Sequence, residues 1–135
     1  MAKRTQKRVF LICPVRKAER GTINRIKKYI KSLKSEGFSV YWPYRDTDQN
    51  DPVGTRILTD NTRQILSADE IHVWYNSSSA GSHFDLGVVF ALLLFGCHKK
   101  IVLANKNEVK IDEGIKSFPA VIEALENGFR PKLSD

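Results

Sequence analysis

Four short apolar runs set the terms on which this chain can fold. VFLIC (Val9–Cys13), FSVYW (Phe38–Trp42), EIHVWY (Glu70–Tyr75) and KIVLA (Lys100–Ala104) are of strand length and rich in β-branched and aromatic residues. VFLIC does not alternate, which is the pattern of a strand covered on both faces, as in a parallel sheet. Helical patterns lie between the runs. Ile23, Ile26, Tyr29, Ile30 and Leu33 recur at helical spacing and Gly37 ends that segment. Ile57, Ile65 and Leu66 mark a second helix that carries Asn61 and stops before Asp69. A third runs from an N-cap at Ser82 to about Phe95, and a fourth spans Phe118–Asn127, with Pro119 in its first turn and Gly128 after it. Strands alternating with helices predict right-handed crossovers and an α/β, three-layer sandwich with a mostly parallel sheet. A length of 135 residues fits a single domain over 1–135, with residues 1–7 as a basic tail.

Composition excludes several classes. The two cysteines, Cys13 and Cys97, have no CxxC spacing and sit in apolar runs, so they read as small buried hydrophobes in a reducing, cytoplasmic setting. The basic start runs directly into the first strand with no cleavage signal, and the apolar stretch Leu86–Cys97 is too short to span a membrane. The net charge of +7 is concentrated between Lys3 and Lys34, where only Glu19 opposes the lysines and arginines. That segment reads as a tail followed by the solvated face of a helix; on charge alone it also allows a nucleic-acid partner or a funnel for a phosphorylated small molecule.

In open parallel sheets, ligands bind beyond the carboxyl ends of the strands, near the point where strand order reverses. Three loops leave such ends directly: Pro14–Arg16, Pro43–Asp51 and Asn76–Ser82. The third leads into SSSAGSHFDLG (Ser77–Gly87), where small residues let the backbone approach a ligand and Asp85 is expected in the first turn of a helix. Taken alone, this segment is equally well explained by an acid that complements the helix dipole.

The order of these features resembles the nucleoside 2-deoxyribosyltransferase superfamily over roughly residues 8–105. The residues that carry the likeness are the strand-ending Pro14-Val15-Arg16 turn, Ala68-Asp69 before the third strand, and Gly81-Ser82-x-x-Asp85-Leu86-Gly87. The resemblance implies a deoxyribosyltransferase or flavodoxin-like fold and chemistry at the anomeric carbon of a nucleoside. Asp85 stands where the family has its nucleophilic glutamate, and Asn61 where it has an aspartate in the second helix; Phe10 replaces a first-strand aromatic. The family's base-swapping members carry an aspartate at the position of Ser79, whereas its 5′-monophosphate N-glycosidases carry a serine there and an arginine at the position of Arg16. A hydroxyl and a guanidinium suit a phosphate.

The sites implied by the resemblance are thus Asp85 and Asn61 for catalysis, and Phe10, Val15, Arg16, Ser79, Gly81 and Ser82 for substrate binding. The expected activity is hydrolysis or transfer at the N-glycosidic bond of a nucleoside or nucleoside 5′-monophosphate. The alternatives are a nucleotide-binding or sensing domain without turnover, and a nicotinamide dinucleotide glycohydrolase. Asp46, Asp48 and Asp51 are candidate proton donors to the base, with Trp42 or Tyr44 to stack on it. His72 and His98 read as structural and His83 as part of a helix surface; no residue pattern calls for a metal or cofactor. Gly87–Phe95 is apolar all round. Since the family completes its pockets across subunits, a homodimer or larger homo-oligomer is expected.

Overall fold

The computed structural model describes residues 6–134, so most of the expected basic tail lies outside the described residues. The elements are β1 (Arg8–Ile12), α1 (Arg20–Ser35), β2 (Ser39–Tyr41), α2 (Pro43–Asp46), α3 (Thr55–Ser67), β3 (Glu70–Val73), α4 (Ala80–Leu94), β4 (Lys100–Leu103) and α5 (Phe118–Glu126), with one 3-10 turn at Lys106–Glu108. The four strands pair in the order β2-β1-β3-β4, all parallel. Phe10 lies between Tyr41 and Ile71 in register, and Val73 between Ile12 and Leu103. The chain leaves β1 toward β2 and returns past it to β3, so the strand order reverses between β1 and β3.

Alternation within each strand builds the two cores. Val9, Leu11 and Cys13 face α1, where they meet Ile26, Ile30 and Leu33. Phe10, Ile12, Ile71, Val73, Ile101 and Leu103 face the opposite layer and pack on residues of α3, α4 and α5. The expected three-layer α/β sandwich is therefore observed, with every strand parallel rather than most of them.

Local chemistry explains the element ends. Helix α1 closes with Phe38 N–H donating to Leu33 C=O (3.1 Å) and Gly37 N–H to Lys34 C=O (3.0 Å). That double closure requires the left-handed backbone found at Gly37 (φ 95°), which a side chain would strain. Two expectations are corrected. Part of the segment read as a loop is the short helix α2, opened by Pro43 and tied by the Asp46 carboxylate to Trp42 N–H (2.8 Å). The N-cap of α4 is Ser79, not Ser82: its Oγ accepts Ser82 N–H at 3.2 Å. Helix α4 thus starts earlier, and Asp85 falls in its second turn rather than its first.

The sheet also buries polar groups that the strand patterns hide. Glu70 and His72 are both buried on the α1 side, with His72 Nε2 2.9 Å from Glu70 and its Nδ1 2.6 Å from the Tyr29 hydroxyl. Burial lowers the His72 pKa despite the neighbouring carboxylate, and burial raises that of Tyr29 to about 12. The histidine is a packed one. Asn105 continues the ladder beyond β3, accepting from Tyr75 N–H (2.8 Å) and donating to its C=O (2.9 Å). Cys13 is buried as expected, but Cys97 is only half-buried; both are free thiols.

Candidate active site

Loops 13–19 and 74–79 leave the carboxyl ends of β1 and β3, where the strand order reverses, and helix α4 descends from the second of them. Asp85 projects from this helix and retains only 7% exposure. Its carboxylate accepts no hydrogen bond among the described residues, and burial alone pushes it up to about 7. Glu70 is buried to a similar degree but has His72 as a partner. A mostly buried carboxylate without a hydrogen-bond partner among the described residues costs stability, and the fold gives Asp85 no structural partner.

The surroundings of Asp85 are named by the contacts. Cys13, at the end of β1, is near enough for the Asp85 charge to add to the effect of burial, which raises the thiol to about 12. The Cys13 sulfur accepts the Trp42 indole N–H at 3.1 Å. Asn61, also 7% exposed, sits on α3, which packs against α4. Its Oδ1 accepts from the Thr47 hydroxyl at 2.7 Å, and Thr47 in turn lies 2.7 Å from the Tyr41 hydroxyl. Because Thr47 has a single proton and gives it to Asn61, Tyr41 is the donor of the second bond.

The remaining expected site residues divide into three groups. Arg16 is exposed in the turn after β1 and makes no ion pair among the described residues; Val15 beside it is half-buried. Gly81 is exposed on the first turn of α4. Ser79 and Ser82 are engaged with each other, their hydroxyl oxygens 2.8 Å apart, and Ser82 is 1% exposed. Phe10 has no exposed surface and stacks on Tyr41 with centroids 5.6 Å apart.

Several loop assignments do not hold. Against the cost of its burial, the Arg45 guanidinium and Trp42 N–H hold Asp46 below the usual carboxylate range. Asp51 accepts from Ile57 and Arg56 N–H at the start of α3, and these bonds hold it low as well. Neither is a proton donor near neutrality. Trp42 is 3% exposed and its face is covered by Tyr44 at 4.9 Å, so no base can stack on it; Tyr44 itself is 41% exposed. His83 is half-buried, with both ring nitrogens engaged. Its Nδ1 lies 2.7 Å from Ser79 C=O, which can only accept, so Nδ1 carries the proton and Nε2 accepts from the Tyr75 hydroxyl at 3.0 Å.

Thr47 and Tyr41 are the residues of this site that sequence reasoning missed. The alternation of β2 places Tyr41 on the face of Phe10, which is a legible signal; nothing local marks Thr47. A separate cavity of about 170 Å³ lies at the amino ends of β1 and β2, lined by Arg8, Ser39 and Gln64 among others, and contains neither Asp85 nor Asn61. Among the described residues, no three His, Cys, Asp or Glu side chains gather as a metal site would need, and no helix is long and apolar enough to cross a membrane.

No protein-family model matches the sequence, and no curated protein matches it. Solved structures do. A 2-deoxyribosyltransferase from Leishmania mexicana superposes with a TM-score of 0.52 at 16% identity, over 91% of this chain and 99% of that one. The fold is that of the 2-deoxyribosyltransferases. The 2-deoxyribosyltransferase of Bacillus psychrosaccharolyticus gives the same TM-score at 17% identity, over 63% of this chain and 66% of that enzyme, just under two thirds of its length. A CMP N-glycosidase from Clostridium botulinum is also similar, at a TM-score of 0.46 and 19% identity, over 90% and 81% of the two chains. Within the deoxyribosyltransferase fold, Asp85 lies on the helix that follows the third strand, beside the reversal of strand order.

Proposed function

We infer that the chain cleaves or transfers the N-glycosidic bond of a nucleoside or nucleoside 5′-monophosphate, with Asp85 as the nucleophile. The observation that carries this reading is the buried Asp85 carboxylate, which accepts no hydrogen bond among the described residues and lies where a sheet of this order receives a ligand. The deoxyribosyltransferase fold supports the reaction class.

In the first step a carboxylate oxygen of Asp85 attacks C1′, the C1′–N bond breaks, and the base leaves with its electron pair and takes up a proton. The product is a ribosyl ester of Asp85. Water then attacks C1′ of the ester, releasing the sugar and restoring the carboxylate; a second base in place of water gives transfer. With Asp46 and Asp51 held as ionised caps and Asp48 exposed beside Arg56, the proton for the leaving base comes from solvent at the mouth. Attack needs the ionised form of Asp85, so turnover rises as pH passes through about 7. In this reading Arg16, exposed in the turn that leaves β1, holds a 5′-phosphate, which favours a monophosphate substrate.

Two further elements complete the proposal. The apolar surface left exposed along α4 is covered by a second copy of the chain, and the two free thiols suit a reducing cytoplasm. One observation favours a second reading, a nucleotide-binding domain without turnover: Asn61 has its oxygen taken by Thr47 and cannot transfer a proton. Chromatography of base release from a panel of nucleosides and their monophosphates separates the two. Release that disappears in Asp85→Ala supports catalysis. Release that survives in that variant overturns the nucleophile, and nucleotide binding without release in the parent protein supports the second reading.

A further inference from the structure

Helix α1 carries a charge distribution that the glycosidic reading does not use. Its sixteen residues, Arg20–Ser35, contain no carboxylate. Arg20, Lys27, Lys28, Lys31 and Lys34 are all exposed, and none makes an ion pair among the described residues; Arg25 alone on this helix is paired, with Glu108. At 3.6 residues per turn, Arg20, Lys27, Lys31 and Lys34 fall within about 60° of arc, and Lys28 lies about 60° beyond its edge. The stripe is about 21 Å long at 1.5 Å per residue. Glu19 precedes the helix, Glu36 follows it, and Asp46 lies within electrostatic reach of Lys34. The core residues Ile26, Ile30 and Leu33 lie about 100° around the helix from the stripe and anchor it, so the cations are presented on a fixed rod rather than a loose tail.

We propose that this stripe of α1 is a docking surface for the phosphate backbone of a nucleic-acid duplex. Cations aligned along one side of a fixed helix can lie against a line of phosphates, and release of the counterions condensed there supplies the binding energy. The composition of the face selects among polyanions. None of the large exposed hydrophobic side chains belongs to α1, so the helix has nothing to insert into a bilayer. Its one aromatic residue, Tyr29, is bonded to His72 and is not free to stack on an unpaired base. Contacts from lysines to phosphates carry no base readout, so binding is independent of sequence. The inference does not rest on Asp85 or on any glycosidic activity.

Fluorescence anisotropy with a labelled 20-base-pair DNA duplex tests it. Four phosphate contacts predict a slope of log K against log salt of about −3 to −4, so that raising KCl from about 50 to 200 mM weakens binding roughly a hundredfold. Replacing Lys27, Lys31 and Lys34 together by Gln should weaken binding at least tenfold and flatten the slope by about 2 to 3. Lys110→Gln with Lys116→Gln, which removes exposed cations elsewhere, should change neither. Thermal melts check that each variant folds, and if the triple variant does not, Lys31→Gln alone should still flatten the slope by about 1. No duplex binding at low salt overturns the proposal, as do equal losses in the two sets of variants. Retention on vesicles containing phosphatidylserine without duplex binding assigns the stripe to membranes and overturns it as well.

Discussion

The Thr47 hydroxyl donates to Asn61 Oδ1 at 2.7 Å, pinning the segment between α2 and α3 to the helix that packs beside Asp85. Both side chains are buried, so the bond is paid for twice if broken: the amide oxygen loses its only described donor, and Tyr41 loses its acceptor. Thr47→Val keeps the shape and removes the hydroxyl. It should lower unfolding stability by about 1–3 kcal/mol, the cost of leaving a buried polar group unpaired. Thr47→Ser should retain most of it. Urea titration of the two variants measures this, and equal stability of Thr47→Val and the parent would show that the chain of hydroxyls contributes nothing.

Asp85 gives a prediction of opposite sign. Below about pH 4 it is protonated in both folded and unfolded states and its burial carries no ionisation penalty. Between there and about 7 the unfolded chain ionises it while the folded protein holds the proton, so stability falls as pH rises; above about 7 the full penalty is present. Asp85→Asn removes that penalty. The variant should gain little at pH 4 and about 2–4 kcal/mol above pH 7, the upper figure corresponding to the full rise of the carboxyl to about 7. Thermal melts at pH 4.5 and 8 read the difference. A stabilised and inactive variant is the mark of a carboxylate kept for chemistry; destabilisation at pH 8 would show that the carboxylate has a structural role.

Arg16 separates the phosphate from the rest of a ligand. It is exposed and makes no ion pair among the described residues, so Arg16→Ala should leave the fold intact. Calorimetry should show monophosphate binding weakened by about 1.5–3 kcal/mol, the range for a charged hydrogen bond. The matching nucleoside should bind nearly as before. Equal losses for the two ligands would place Arg16 at the sugar or in the loop's own structure.

The strands were legible because both faces of the sheet are covered, and an apolar run without alternation has few other uses. The parallel topology follows from the intervening helical periods. Element ends were less legible: Pro43 opens a helix as readily as it stops a strand, and only the bond from Asp46 back to Trp42 N–H decides between them. Ser82 and the three serines before α4 all offer a capping hydroxyl; the choice of Ser79 over Ser82 depends on which backbone N–H turns toward which hydroxyl. Asp85 was visible because its neighbours Gly81, Leu86 and Gly87 form a pattern. Thr47 was not, because its role is created by α3 arriving from elsewhere in the chain. The loop acids misled for a related reason, since Asp46 and Asp51 are consumed by backbone N–H groups that sequence spacing does not reveal.

The last prediction concerns assembly. Phe84 on helix α4 and Phe95 at its C-cap are 49% and 72% exposed, eleven residues apart and therefore nearly in line, about 16 Å along the axis. Ala91 between them is exposed and Val88 half-covered. The patch continues onto α5, because Phe118, 58% exposed, meets the His83 ring at 4.8 Å. A monomer rarely leaves so much contiguous apolar surface to water. A two-fold pairing would cover the same surface on both copies at once and is the commonest closed arrangement. Light scattering at micromolar concentration should therefore give a mass at least twice the 15.4 kDa of the chain. Phe84→Glu with Phe95→Glu places like charges on both copies and should yield a folded monomer, since neither ring is part of the core. A parent protein that scatters as a monomer would leave this face without its second copy, and a double variant that remains a dimer would move the interface elsewhere.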